Sequence, residues 1–415
     1  MPQWEFIVEV TQHLWPGLFA ALAFALGAVV IHILPKYKWL AAAILIVAIT
    51  PVAIPGFWIS SADLGISDWD QYFSHYHYLR RIITEFKEFP LWNPWMCGGT
   101  AAWGDPEFTG FSPTFLAVLA LGVERGLKLI IYIATIVGAL GMLMLGKRLG
   151  FSVYAALLAA IGVTFSSVNL LEIVEGHPNI FSAMWIPWIF WSWLAAYRSA
   201  SDRRKASVWS IICGIFLALT FFQGGIYLLS YTTLAFLVLI LLASNHKQAF
   251  LVTLKSGLWA LGFAGIKLIP ALFWLSQFPD KTYAGSTYTL PYLHHVLFGR
   301  YLHSHGDPKG IIPNQGSGWH EYGAYIGPFI GALALIGLTK IRKTRIVLAL
   351  AIAAILAIIL SSAGPVLKSV FDQIPFIPRS NISRVILFAV IPLALLAGYG
   401  LDVLRERASR KWVAA

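Results

Sequence analysis

The chain has few charged residues for its length. Only 12% of its 415 residues are Asp, Glu, Lys or Arg, and 58% are hydrophobic, whereas soluble domains carry about 25% charged residues. This scarcity excludes an ordinary soluble enzyme and a disordered chain. There are only two cysteines, Cys97 and Cys213, so neither a disulfide framework nor a cysteine-based metal site is expected.

Several sequence signatures of known chemistry are also missing. The sequence has no glycine-rich phosphate loop, no serine nucleophile elbow, no C2H2-type zinc spacing and no repeat of fixed period. The formal net charge is +11. In a chain this apolar, we attribute the basic excess to cytoplasmic loops, so nucleic acid is not an expected partner.

Long apolar runs are abundant. About eleven of them are near the 20 residues or so that cross a bilayer, so we predict an all-α, polytopic integral membrane protein that forms a single membrane domain over residues 1–415. The first run has no basic segment before it and no cleavage site after it, and we therefore expect no cleaved signal peptide. The predicted spans lie near 13–34, 39–59, 127–146, 151–170, 180–197, 207–222, 225–243, 249–275, 322–339, 345–361 and 384–403.

The basic residues predict the orientation in the membrane. Every second connection is rich in Lys and Arg, and these connections hold 17 of the 30 basic residues but only three acidic ones. The positive-inside rule makes this side cytoplasmic. We expect a multi-pass protein of the cell (inner) membrane with an extracytoplasmic active face, formed by outer loops near 60–126, 276–321 and 362–383, because loops carry function on a rigid scaffold.

The first outer loop contains the clearest candidates for chemistry. Its residues 68–86 mix aromatic and charged side chains as interfacial helices do, so we predict a helix there. Asp68 and Asp70 allow two interpretations. In the first, Ser67 starts the helix and Asp70 closes a capping box. In the second, one of these carboxylates acts as a general base or binds a divalent cation.

The sequence also resembles a known family. The first outer loop contains DWDQYFSHYHYLRRIITEFKEFPLWNPWMCGGTAAWGDPEFTGFSPTFL, and shorter segments read GHP at 176–178, WHEYGAYIG at 319–327 and PRSNISR at 378–384. Together, from about residue 67 to about 402, these resemble bacterial YfhO-type proteins, which are integral-membrane glycosyltransferases of the GT-C class.

The resemblance implies a reaction. A sugar would pass from a polyprenyl-phosphate carrier to a glycan, lipid or protein acceptor on the outer face of the membrane, with inversion as the class suggests. The usual base of the class is an acidic residue of the first outer loop, and that role would fall on Asp68 or Asp70.

Such a reaction needs cations near the departing phosphate. Lys267 lies inside a predicted span, where a charge costs about 2.5–3.5 kcal/mol; it binds the donor phosphate or snorkels to the surface. Arg379 and Arg384 grip the phosphate or anchor the chain to lipid headgroups. His177 caps a span or touches the donor phosphate.

The remaining polar residues of the outer face are candidates for binding the acceptor or sugar. No cofactor is certain, although Mg or Mn bound by Asp68, Asp70 or Glu321 is one expectation. The His-rich outer loop near 276–321, which contains His294, His295, Arg300, His303 and His305, is a weaker metal candidate because its spacing matches no fixed ligand set. The acceptor or sugar candidates are Gln71, His75, Trp92, Asn93, Asp105, Glu107, His320 and Glu321.

Two other functions compete with the transferase. A transporter or flippase of a lipid-linked sugar would place ionisable groups near the midplane of symmetric, broken helices. Here the polar residues gather on the outer side and no repeat symmetry is visible, which favours surface chemistry. A non-catalytic envelope-assembly subunit would use the outer loops for docking.

Overall fold

The described part of the protein is almost entirely helical. The computed structural model describes residues 22, 25, 27, 29–33, 35–53, 68–96, 98–277, 290–299, 323–362 and 382–414. Several features singled out in the sequence lie outside these residues, namely most of the first predicted span, Ser67, Cys97, Arg300, His303, His305, His320, Glu321 and Arg379.

The α-helices are numbered here in chain order. Short 3₁₀ segments extend several of them, the longest at Pro178–Trp185. The helices are α1 (Lys38–Ala53), α2 (Trp69–Arg81), α3 (Phe115–Leu121), α4 (Val123–Leu149), α5 (Val153–Thr164), α6 (Ser167–Glu175), α7 (Ile186–Arg198), α8 (Arg203–Phe222), α9 (Ile226–Leu242), α10 (His246–Gln277), α11 (Leu293–Phe298), α12 (Gly327–Gly337), α13 (Arg345–Ser362) and α14 (Leu387–Ala414).

The helices confirm the predicted all-α membrane fold. Among the described residues, seven helices, alone or joined end to end, are long and apolar enough to cross a membrane, and two shorter apolar helices accompany them. All nine coincide with predicted spans. α1 covers most of the second predicted span with 16 residues.

The bundle is held by close helix contacts. α14 packs against α5, α12 and α13, and α8 packs against α7 and α10. Where α12 crosses α14, a Cβ on Gly400 would lie 1.9 Å from the carbonyl oxygen of Leu333. The two backbones therefore touch, as small residues allow in membranes, where packing rather than hydrophobicity drives helix association.

Two spans are irregular where they meet. The span Val153–Glu175 is interrupted at Phe165 and Ser166, so its last part is the short helix α6. α6 ends at Gly176, which has a left-handed φ of +96°, and Pro178 starts the next segment, a usual glycine–proline order at a helix end. This turn lies at the end of the bundle opposite the Lys/Arg-rich connections.

The described part of the first outer loop is folded and shares a core with the helix bundle. α2 continues into a π-helical turn at Ile82–Phe86, which confirms the helix predicted over 68–86. Its buried side chains follow helical spacing and pack with residues of α3 and α4. A two-residue hairpin, β1 (Trp92–Asn93) and β2 (Thr100–Ala101), completes the loop. The buried residues of α2 are Trp69, Tyr72, Tyr76, Tyr78 and Leu79.

Candidate functional site

The site forms where α2 docks on the turn after α6. The backbone N–H of Asp68 donates to the carbonyl oxygen of Glu175 at 3.1 Å, and the Trp69 indole N–H donates to that of Ile173 at 2.9 Å. A Cβ on Gly176 would lie 2.5 Å from the backbone nitrogen of Trp69. Only glycine permits this approach, which places the start of α2 directly beside His177.

Asp68, His177 and Glu172 form a connected row of side chains. Asp68 Oδ2 lies 2.9 Å from His177 Nε2, and His177 Nδ1 is hydrogen-bonded to Glu172 Oε2. The side chains of His177 and Glu172 are 9% and 4% exposed, whereas that of Asp68 is 49% exposed. The row therefore runs from a buried carboxylate, through a buried imidazole, to a carboxylate that a substrate can reach.

The two carboxylates control the charge of the imidazole. Burial alone would lower the pKa of His177, but the charge of Glu172 and hydrogen bonds to Asp68 and Glu172 outweigh it and raise this pKa to about 10. His177 is then an imidazolium at neutral pH, which donates one hydrogen bond from each ring nitrogen, to Asp68 and to Glu172. This geometry orients the Asp68 carboxylate.

A second carboxylate, Glu107, lies beside this row. Its Oε2 accepts a hydrogen bond from the Tyr72 hydroxyl at 2.8 Å, and its Oε1 accepts one from Asn179 Nδ2 at 3.2 Å. Tyr72 lies one helical turn after Asp68, and Asn179 lies two residues after His177. The same two elements therefore position both carboxylates.

Glu107 is a weaker acid than usual in this environment. Burial and the neighbouring Asp105 raise its pKa, against the opposing hydrogen bond from Tyr72. Asp105 also accepts a hydrogen bond from the Glu107 backbone N–H at 2.8 Å. The pKa of Tyr72 is raised by its burial and by Glu107, so its hydroxyl remains a donor to the carboxylate.

The two aspartates at the start of α2 have different surroundings. Asp68 is the residue before the first helical one, but its side chain makes no capping hydrogen bond, because it is directed to His177. Asp70 is exposed in the first turn. The capping box with Ser67 stays a prediction, since Ser67 lies outside the described residues.

The two described cation candidates differ in accessibility. Lys267 is fully buried, and its Nζ donates to the carbonyl oxygens of Pro106 at 2.8 Å and Phe221 at 2.7 Å. It therefore neither snorkels nor faces an open surface, and we interpret it as a tether between α10 and the first outer loop. Arg384 is half-buried and lines a small cavity with Glu172.

The remaining candidates on α2 differ in their surroundings. Gln71 is exposed, whereas His75 has its ring edge-on to that of Tyr78 with centroids 5.3 Å apart. Burial lowers the pKa of His75. Binding of an acceptor or sugar by Gln71 and His75 stays a prediction.

The hairpin candidates also differ. Asn93 is buried, and its Oδ1 accepts a hydrogen bond from the Trp95 backbone N–H at 3.1 Å, which is a turn contact. Trp92 is 54% exposed. Stacking of a sugar on Trp92 stays a prediction.

Three residues of the site were not singled out in the sequence. They are Glu172, Tyr72 and Asn179. Glu172 offered one signal, because it is an acidic residue next to a predicted span and five residues before His177. Tyr72 and Asn179 offered none, since one is an aromatic residue in an aromatic-rich loop and the other an ordinary polar residue.

The metal expectation is not settled by these contacts. Among the described residues, no group of three or more His, Cys, Asp or Glu side chains is placed to hold a metal ion. The third predicted ligand, Glu321, lies outside them. In the outer loop near 276–321, His294 Nδ1 contacts the carbonyl oxygen of Pro291 at 2.9 Å.

The fold is similar to that of a known membrane enzyme. The chain is similar to the apo crystal structure of the Archaeoglobus fulgidus oligosaccharyltransferase, with a TM-score of 0.55, 16% sequence identity and coverage of 90% of this chain. It spans about half of that protein, 51% of its length. No protein-family model and no curated protein matches the sequence. At this identity the likeness shows the fold, which is a GT-C-like bundle of membrane helices.

Proposed function

We propose that the protein is a membrane glycosyltransferase that moves a sugar from a polyprenyl-phosphate carrier to an acceptor on the outer face of the membrane. The observation that carries this proposal is the half-exposed Asp68 carboxylate. It is hydrogen-bonded to the His177 imidazole, whose other ring nitrogen is hydrogen-bonded to the buried Glu172. The GT-C-like fold and the resemblance to YfhO-type proteins support the same class.

Asp68 is the general base in this proposal. As the acceptor oxygen bonds to the anomeric carbon of the sugar, its proton passes to the Asp68 carboxylate. The bond between that carbon and the phosphate oxygen breaks, and its electron pair leaves with the polyprenyl phosphate. Attack from the face opposite the leaving group inverts the anomeric centre. A positioned base of this kind contributes about 10²–10⁴-fold to the rate.

The neighbouring residues have supporting roles. His177 and Glu172 orient the base and exclude its other rotamers. Arg384 stabilises the charge that develops on the phosphate, because a guanidinium matches phosphate geometry. Glu107, held by Tyr72 and Asn179, binds sugar hydroxyls. Mg or Mn remains an expectation for the same face.

The test uses purified protein in liposomes. It receives labelled polyprenyl-phosphate sugars and a crude cell-envelope acceptor, and the label is followed in the acceptor and across the bilayer. Transfer to the acceptor supports the proposal. Labelled lipid that crosses the bilayer without transfer favours a flippase, and neither activity with any donor favours an assembly subunit.

A further inference from the structure

A large apolar cavity lies at the opposite end of the bundle from Asp68. Its volume is about 280 Å³, just below the range of about 300–1,000 Å³ that is typical of ligand pockets. α4, α7, α9, α13 and α14 form its walls. Its apolar lining includes Leu149, Trp193, Leu239, Ala349, Ala353 and Leu395.

The cavity has the depth of one membrane leaflet. Arg198 at the end of α7 and Arg345 at the start of α13 both line its mouth. From Arg345 to Ala353 is eight residues, or about 12 Å of helix at 1.5 Å per residue. Half of a hydrocarbon core of about 30 Å is about 15 Å. Because the mouth lies at the Lys/Arg-rich end, the leaflet concerned is the one predicted to be cytoplasmic.

The mouth of the cavity is positively charged. Both arginine side chains are exposed, and no acidic residue lines the cavity. Within the part of the chain that the structure describes, neither Arg198 nor Arg345 has a carboxylate partner; Arg198 instead donates to the Arg148 carbonyl oxygen. A hydrogen bond joins two residues that line the cavity, since the Tyr197 hydroxyl lies 2.9 Å from Ser244 Oγ.

We propose that this cavity binds an anionic phospholipid of the cytoplasmic leaflet. One acyl chain lies among the apolar side chains, and the phosphate contacts Arg198 and Arg345. An acyl chain in the cavity makes dispersion contacts along its whole apolar lining. A free phosphate would bind the arginines but leave the cavity unfilled. Basic pockets between helices on this side of a membrane suit anionic headgroups.

The headgroup arm of the test separates anionic from zwitterionic lipid. Delipidated protein is incubated with phosphatidylglycerol or with phosphatidylcholine of identical chains, and bound lipid is counted by native mass spectrometry. We expect one phosphatidylglycerol per chain, preferred about tenfold over phosphatidylcholine. Arg345→Gln loses this preference, whereas the matched control Arg342→Gln, an exposed arginine that does not line the cavity, keeps it.

The second part of the test blocks the site of the acyl chain by placing a larger side chain in the cavity. Ala349→Phe is expected to abolish retention of the phospholipid, whereas Ile355→Phe, at a position of the same helix that is 54% exposed, leaves it unchanged. Glycerol phosphate, which has no chains, is expected not to compete. Equal binding of the two lipids, retention in Arg345→Gln, or competition by glycerol phosphate overturns the proposal. If Ala349→Phe does not fold, the lipid preference of Arg345→Gln tests the proposal, because the Arg345 side chain is exposed and its replacement leaves the core unchanged.

Discussion

Asp68 and His177 are 109 residues apart in the chain, yet their side chains meet at 2.9 Å. The contact explains why Asp68, rather than Asp70, is the better candidate for a base. A carboxylate with one oxygen held by an imidazolium keeps its orientation when substrate approaches. Asp70 has no such support among the described residues, because it is exposed on the first turn of α2.

The charge of His177 makes stability depend on pH. Its pKa is about 10 in the folded protein and about 6.5 in an unfolded chain. A raised pKa means that the stabilisation is complete below about pH 6.5 and is lost as the pH rises through 10. We expect the thermal unfolding midpoint of the wild type to fall over this window more steeply than that of His177→Gln.

The matched control for this prediction is His77→Gln, because His77 is exposed on α2. Its midpoint should follow the wild-type curve from pH 6.5 to 10. Parallel curves for the wild type and His177→Gln would contradict the charged form of His177 in the folded protein.

At the scale of elements, the turn between α6 and Pro178 determines where α2 lies. Gly176→Ala places a methyl group against the backbone of Trp69 and forces a left-handed φ on alanine. We expect it to lower the free energy of unfolding by more than the roughly 1–3 kcal/mol of backbone strain. Gly150→Ala is the control, because Gly150 has a similar φ of +90° and nothing near its would-be Cβ. If denaturant unfolding gave equal losses of unfolding free energy for the two variants, the close approach of α2 to Gly176 would not contribute to stability.

Lys267 tests the attachment of the first outer loop to α10. Lys267→Met removes the donor to the Pro106 carbonyl oxygen, so we expect faster amide hydrogen exchange at residues 107 and 108. The control Lys255→Met changes an exposed lysine of the same helix and should leave this exchange unchanged. Weaker donor binding in Lys267→Met with no change in exchange would instead favour the phosphate role predicted from the sequence.

The elements were easier to predict from the sequence than the contacts between them. Apolar runs of span length identify helices such as α4 and α13, because a bilayer imposes that length on any sequence. The pairing of Glu172 with His177 was out of reach, because these residues are five apart and meet only where α6 ends in a turn. The contacts of Lys267 were out of reach for a similar reason, since its acceptors are backbone carbonyls of distant segments.

At the scale of the whole molecule, the orientation in the membrane decides whether the site can meet an extracytoplasmic substrate. In a Cys97→Ser background, we expect a membrane-impermeant maleimide to label Ser74→Cys on α2 in intact cells, because the acidic loops are predicted to lie outside. Ser201→Cys, in a connection beside Arg203 and Arg204, should react only after the cells are opened. The reverse pattern would place Asp68 in the cytoplasm.

The molecule combines two chemically different ends in one bundle. The end with Asp68 and Glu107 gathers carboxylates around a charged imidazole, and the opposite end gathers exposed arginines around an apolar cavity. The first suits proton transfer to a carboxylate, and the second suits an anionic lipid. The two functions are expected to be separable by mutation, because their residues share no contact.

The most direct measurement is the turnover number of Asp68→Asn in liposomes with a donor and acceptor that the wild type uses. Asparagine keeps the shape of the side chain but removes its ability to accept a proton. We expect a fall of about 10²–10⁴-fold with unchanged thermal unfolding at pH 7 or a modest loss, and near wild-type turnover in Asp70→Asn. Full turnover in Asp68→Asn, or an equal fall in both variants, would contradict the assignment of Asp68 as the base.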